Sequence, residues 1–216
     1  MEKIYFDDTT FIWKTKLNLF GNKDEMVKQA NNVITSAPYV TNDGYGYMKT
    51  ENGVVINKAN CDNQPKLDEI IELSTKCCKE LYIENNEFNT LNVESWVNIV
   101  RANNPTQRSY RDRDTRGELS YHVHTELNKN RNKFIPNYTY VYYIQMPDVM
   151  EGDDGVLYFK SKIGEVYFVK PEEDDLIIMP ADMSHSPNNA PKSTKDRMVL
   201  AGNVGFELIK QNKSLI

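Results

Sequence analysis

The chain holds three histidines, and all three fall where a single metal ion could use them. His122 and His124 stand in Tyr121-His122-Val123-His124-Thr125-Glu126, shortly before a strongly β-like run, and His185 follows a second such run, 61 residues after His124. Arg197 comes 12 residues later and opens a third apolar run, Met198-Val199-Leu200-Ala201. In an extended strand, residues two apart share a face, so His122, His124 and Glu126 project together. Two imidazoles and one carboxylate on one face of an ion, with the opposite positions open, suit Fe(II). His124, Glu126 and His185 make that set, and it is preferred because a carboxylate offsets part of the ion's charge. His122, an alternative ligand, would instead complete a set of three imidazoles with His124 and His185. A guanidinium nearby offers a planar fork for the carboxylate of an organic co-substrate. Each residue also has an ordinary reading: a His-x-His pair in a solvated loop, or an Arg at a strand start paired with the adjacent Asp196. Their order along the chain separates them from those readings.

The elements that must position them follow from periodicity. Phe11 to Leu17 is β-like. Asn22 or Asp24 can cap a helix to about Ser36, with Met26, Val27, Ala30, Val33 and Ile34 at helical spacing. Thr41 to Asn60 reads as loop, with one short strand at Gly53 to Ile56. Pro65 begins a clearer helix whose buried stripe is Leu67, Ile70, Ile71, Ser74, Cys77, Cys78 and Leu81. From Ser95 the texture becomes β-rich: Trp96 to Val100, Asn137 to Met146, Val156 to Phe159, Glu165 to Val169, Asp175 to Met179 and Arg197 to Leu208. Gly, Pro, Asn and Asp punctuate these runs. Several short strands at near-regular spacing point to a sandwich or barrel. The expected organisation is one domain, 1–216, with a helix-plus-strand support region over 1–94 and a β core over 95–208.

Bulk properties narrow the function classes. A net charge of -5 argues against a sequence-blind nucleic-acid binder, which needs a basic face to displace counterions. Three cysteines, Cys61, Cys77 and Cys78, are not a disulfide framework and fit a reducing compartment. No apolar run approaches the roughly 18 residues of a membrane span, and the N-terminus lacks the apolar core of a secretory signal. A cytoplasmic protein with no membrane partner is expected.

The order Tyr121-x-x-His124-x-Glu126, Tyr142-Tyr143-Ile144, Gly155-Val156-Leu157, His185 and Arg197 resembles the 2-oxoglutarate and Fe(II)-dependent oxygenases, most of all their prolyl-4-hydroxylase-type branch. Trp96-Val97-Asn98, the His-x-His and Val141-Tyr142-Tyr143-Ile144-Gln145-Met146-Pro147 are also similar to oxygenases encoded by phages of marine bacteria. The resemblance covers about Ser95 to Leu208. It implies a mostly β protein with N-terminal helices, built as a double-stranded β-helix, a jelly roll of the cupin kind. It further implies His124, Glu126 and His185 as iron ligands, Arg197 pairing with the far carboxylate of 2-oxoglutarate, and Tyr143 donating its hydroxyl to that same carboxylate. No catalytic residue beyond the metal centre is implied. The implied reaction consumes 2-oxoglutarate and O2, hydroxylates an unidentified primary substrate, and releases succinate and carbon dioxide.

Two features depart from the family pattern. Glu stands where Asp is commoner, and the interval from His185 to Arg197 is stretched, with Pro187 and Pro191 inside it. The competing expectation is a phage virion or structural protein on the same jelly roll, with or without a retained metal site and with virion or oligomer partners. The location would then be a phage's host cell, or the particle itself. A cupin-like protein using His122, His124 and His185 without 2-oxoglutarate is a third.

Other features carry less. Cys77-Cys78 has no histidine near it in sequence. Glu172-Glu173-Asp174-Asp175 reads as a solvated turn between strands. The Arg101, Arg108, Arg111, Arg113 and Arg116 cluster reads as a lid, a substrate loop or a solvated loop. Gly44-Tyr45-Gly46-Tyr47 reads as a groove lining or a turn.

Overall fold

Thirteen elements run in the order β1 (Glu2–Tyr5), β2 (Phe11–Lys16), α1 (Lys23–Ser36), β3 (Met48–Thr50), β4 (Gly53–Asn57), α2 (Pro65–Tyr82), β5 (Phe88–Val100), β6 (Tyr138–Gln145), β7 (Leu157–Lys160), β8 (Val166–Val169), β9 (Asp175–Pro180), β10 (Ser184–Pro187) and β11 (Arg197–Leu208). The computed structural model describes residues 1–8, 10–19, 23–36, 48–50, 53–57, 64–82, 88–100, 102, 121–124, 137–188, 190 and 192–208. The Arg101–Arg116 cluster, the Gly44–Tyr47 stretch, Cys61 and Glu126 lie outside the described residues, Ala102 excepted.

Eight strands form one antiparallel sheet in the order β1-β2-β9-β6-β11-β5-β4-β3, and three form a second in the order β10-β7-β8. Alternation along the central strands decides which face each side chain takes. Tyr140, Tyr142 and Ile144 of β6, Leu176 and Ile178 of β9, Met198, Leu200 and Val204 of β11, and Val97 and Ile99 of β5 make the outer face, which buries itself against both helices. The intervening residues, among them Tyr143, Ile177, Met179 and Val199, turn inward and pack with Ile12 of β2 and with Leu157 and Phe159 of β7. Two antiparallel sheets facing one another across this second core make the molecule a double-stranded β-helix, mostly β with helices in its N-terminal part.

The helices form where their apolar stripes require. Met26, Ala30 and Val33 of α1 and Leu67, Ile70, Ile71 and Cys78 of α2 are buried in the outer-face core, at i, i+3, i+4 and i+7 spacings. Gln29 of α1 is itself buried, because its Oε1 accepts from the first-turn amides of α2, Lys66 at 2.8 Å and Leu67 at 3.4 Å. It thus satisfies donors that have no partner within their own helix. Gly202 on β11 is needed for a different reason. A Cβ there would come within 2.5 Å of the Tyr140 ring and 2.6 Å of the Glu94 carbonyl. Among the described residues, no helix is long and apolar enough to cross a membrane.

β11 has the bounds expected from its pattern, and α2 ends one residue later than its stripe. β1, β3 and β10 were not expected, and β5 starts at Phe88 rather than Trp96. The acidic run is only partly the solvated turn its charge suggests. Asp174 and Asp175 are buried, Asp175 beside Lys14 at 2.8 Å and Asp174 accepting the Tyr142 hydroxyl.

Candidate functional site

A backbone pairing creates the site. His122 and His185 face each other as an isolated antiparallel bridge. Each amide donates to the other's carbonyl, both at 3.0 Å. Residues directly opposite in an antiparallel pair point to the same face, and His124, two positions along, points there too. His124 is held by its own amide, which donates to the Ala181 carbonyl at 3.0 Å. On β10, His185 lies opposite Phe159, whose side chain belongs to the inner core.

Three imidazoles therefore converge. Ring centroids are 4.3 Å apart for His122 and His185, 5.2 Å for His124 and His185, and 5.3 Å for His122 and His124. One ring nitrogen of each lies within 4.8 Å of the other two. His124 and His185 are buried, while His122 opens to solvent. The Trp96 ring of β5, half-buried, stacks on His124 at 5.7 Å and 23°, so the main sheet walls the cluster on that side.

The electrostatics favour neutral rings. Burial, reinforced by the neighbouring His185 and His122, drives His124 down to about 3. Burial and His122 take His185 to about 3, against a small opposing effect from its bond to Met183. For His122, loss of water on its inner side lowers the pKa. A neutral imidazole has one lone pair to offer. The Nδ1 of His185 sits 2.9 Å from the Met183 carbonyl, which assigns its proton to Nδ1 and leaves Nε2 to face the cluster. The Nδ1 of His124 is buried with no hydrogen-bond partner among the described residues. Nitrogen donors that are neutral and mutually close, two of them on buried rings, suit a first-row transition ion such as Fe(II), Co(II) or Zn(II), and a carbonyl fixing the far side of a ring is the usual arrangement around metal-binding histidine.

Arg197 opens β11 and is 6 % exposed. Its Nη1 donates to the Asn188 carbonyl at 2.7 Å. Asn188 in turn donates its amide to Val156 at 2.9 Å and its side chain to the Asp153 carbonyl at 2.9 Å. Asn188 is three residues beyond His185 and directly follows β10, so the guanidinium is held just past that end of the strand. The stretched interval before Arg197 is tied down by Asp148, whose carboxylate accepts from the Ser193 hydroxyl at 2.7 Å, the Thr194 amide at 2.8 Å and the Thr194 hydroxyl. These bonds, the Thr194 side chain first, hold the Asp148 carboxyl below the usual range. Asp196 accepts the Ala102 amide at 2.7 Å.

Tyr143 is buried on the same inner face, paired through β6 with Val199 of β11. Burial pushes its hydroxyl up, against the opposing pull of Arg197, so it remains a proton donor at neutral pH. The structure thus brings together His122, His124 and His185, and places Arg197 and Tyr143 within the same sandwich. Sequence reasoning did not single out the Met183 carbonyl, Asn188 or the stacking role of Trp96. The first two act through their main chain, which residue type does not announce. Nothing in the residue type of Trp96 marks a stacking role on a histidine outside its own strand.

No protein-family model matches the chain, and no curated protein matches its sequence. Solved structures do match its fold. A prolyl hydroxylase from Trichoplax adhaerens, in complex with a hypoxia inducible factor oxygen degradation domain peptide fragment, superposes with a TM-score of 0.54 over 90% of this chain and 83% of its own, at 14% identity. A prolyl-4-hydroxylase from Pseudomonas putida gives 0.51 over 90% and 91%, also at 14% identity. A Neurospora crassa protein in complex with alpha-KG and 5-formyluracil gives 0.53 over 91% and 74%, at 13% identity.

Proposed function

We propose that this chain is a 2-oxoglutarate and Fe(II)-dependent dioxygenase that hydroxylates an organic substrate. The observation that carries the reading is the gathering of the chain's whole histidine complement on one inner face, in a sandwich that also buries Arg197. The fold shared with known oxygenases supports it.

His124 and His185 would hold the iron, with the third position taken by His122 or Glu126. The bound group supplies the chemistry: Fe(II) with 2-oxoglutarate and O2 hydroxylates a C–H bond and yields succinate and carbon dioxide. The protein supplies position and a dry cavity. Met183 keeps the His185 ring in the tautomer whose Nε2 lone pair faces the ion. Arg197, steadied by Asn188, would offer its fork to the carboxylate at the far end of the keto acid. Tyr143 would donate a second hydrogen bond to that carboxylate. The apolar wall of Leu157, Phe159, Ile177 and Val199 excludes water, which strengthens both charge contacts. Trp96 limits the swing of His124. The exposed side of His122 marks where the primary substrate would approach.

The test is direct. Purified protein given Fe(II), 2-oxoglutarate and O2 should form succinate, slowly without its primary substrate, and should bind Co(II) and then 2-oxoglutarate anaerobically. His124→Ala and His185→Ala should lose both. A wild-type protein that neither binds the ion nor converts the keto acid would refute the reading. An Arg197→Ala variant with unchanged 2-oxoglutarate affinity would instead indicate a metal site that does not use this co-substrate.

A further inference from the structure

The structure assigns the third ligand to His122: we infer a centre of three imidazoles, complete without a carboxylate. This rests on the metal-binding reading above and sharpens it.

Three observations carry it. His122 is locked to His185 through both of its backbone groups, so its side chain has no choice of face. Its ring is nearer to His185 than the His124 ring is, 4.3 Å against 5.2 Å. An ion held by His124 and His185 therefore has His122 beside it. The ligand nitrogens of all three already lie within 4.8 Å. Adjacent ligands about 2.0–2.1 Å from one ion are roughly 3 Å apart, so a bound ion would draw the nitrogens together by less than about 2 Å. A sequence argument prefers the carboxylate because it offsets charge. The geometry supplies a complete facial set without one.

The chemical consequence is a change of charge. Three neutral imidazoles leave the ion with its full dipositive charge, where a carboxylate set would leave a single positive charge. Such a centre draws an incoming anion more strongly, and its nitrogen donors favour Co(II), Ni(II) and Cu(II) over Mn(II), which prefers oxygen.

The experiment uses the untagged full chain and Co(II) as the probe, with affinity read by anaerobic calorimetric titration. His122→Ala should weaken Co(II) binding by more than about 100-fold, beyond the 10–100-fold typical of losing a group behind a ligand, while Glu126→Gln should change it by less than about 3-fold. A tenfold or larger loss in Glu126→Gln, or retained affinity in His122→Ala, overturns the assignment. If His122→Ala fails to fold, pulsed electron paramagnetic resonance on Cu(II)-loaded wild-type protein with 15N-labelled histidine decides. Since the chain has three histidines, three directly bound nitrogens support the proposal and two overturn it. Unchanged Co(II) affinity in His124→Ala and His185→Ala would be a different failure, that of the metal site itself.

Discussion

Tyr142 and Tyr143 are adjacent in β6 and belong to different halves of the molecule. Tyr142 points outward beneath the helices, where its hydroxyl donates to Asp174. On that outer face Ser95 and Tyr140 share a hydrogen bond of 2.6 Å, while the buried Ser74 hydroxyl and the second Asp174 carboxylate oxygen have no partner among the described residues. Tyr143 points inward, to the side holding Arg197, Trp96 and the histidines. There three imidazoles converge, and the buried Nδ1 of His124 has no partner among the described residues. A buried polar atom left open is costly in a merely structural core. Both faces leave such atoms open, but among the described residues only the inner one gathers three metal-ligating nitrogens within 4.8 Å of one another.

That contrast can be broken by substitutions on either face. The largest expected effect is on the inner one. His185→Ala should remove all stabilisation by metal, which for wild type at a Co(II) concentration 100 times Kd amounts to about 2.7 kcal/mol. The metal-free protein should unfold near the wild-type temperature, because the site is not needed to close the core. Thermal scans with and without Co(II) measure both; a metal-free variant that is strongly destabilised would mean the histidines are structural.

Next comes Arg197→Met, which keeps the side chain's bulk and removes its charge. Charged hydrogen bonds contribute about 1.5–3 kcal/mol, so 2-oxoglutarate affinity should fall roughly 10- to 150-fold with Co(II) affinity unchanged. Equal losses of both would show that Arg197 supports the metal centre rather than the co-substrate. On the outer face, Tyr142→Phe leaves Asp174 buried without its hydroxyl donor and should cost about 1–3 kcal/mol in denaturant unfolding, with no change in either affinity.

The two faces were unequally legible in the sequence. The outer face follows from apolar periodicity, and Leu67, Ile70 and Ile71 of α2 or Leu200 and Val204 of β11 announce themselves. The histidines were legible by type and order, since an alternating His-x-His can only share a face once extended. Their pairing was not. β10 is Ser184-His185-Ser186-Pro187, four residues with no β-like composition, which become a strand because β7 offers an open edge. β5 was found from Trp96 onward, but its first half carries Asn89, Thr90, Asn92 and Glu94, polar residues that pairing with β11 alone makes extended. The burial of Asp175 is matched by Lys14, about 160 positions away in sequence, and that of Asp174 by the Tyr142 hydroxyl, and no local pattern contains either pairing.

Acid should expose the inner face's debt to neutral imidazole. The folded pKa values of His124 and His185 lie near 3, below the ordinary 6.5 of an unfolded histidine. Between those limits the unfolded chain binds more protons, so stability is full above about pH 6.5 and falls as pH drops toward 3, by up to about 1.4 kcal/mol per pH unit for each ring. Denaturant titrations from pH 7 to 5 should show this slope, reduced in His185→Asn; an identical slope in the variant would mean other groups set it.

The smallest effect gives the sharpest test of the contrast, because it concerns the residue next to Tyr142. Tyr143→Phe removes one hydroxyl from a site whose walls are otherwise apolar, Leu157, Ile177 and Val199 among them. Stability should change by less than about 1 kcal/mol, since among the described residues no buried carboxylate accepts that hydroxyl as Asp174 accepts Tyr142, while 2-oxoglutarate affinity should fall about 10-fold, the low end for a hydrogen bond to a charged group. The two phenylalanine variants should therefore exchange phenotypes, one losing stability and keeping ligand, the other keeping stability and losing ligand. Urea unfolding and calorimetric titration of both proteins in parallel read the exchange. If Tyr143→Phe destabilises as Tyr142→Phe does and binds 2-oxoglutarate normally, the inner tyrosine is core, and the keto acid's carboxylate is held by Arg197 without it.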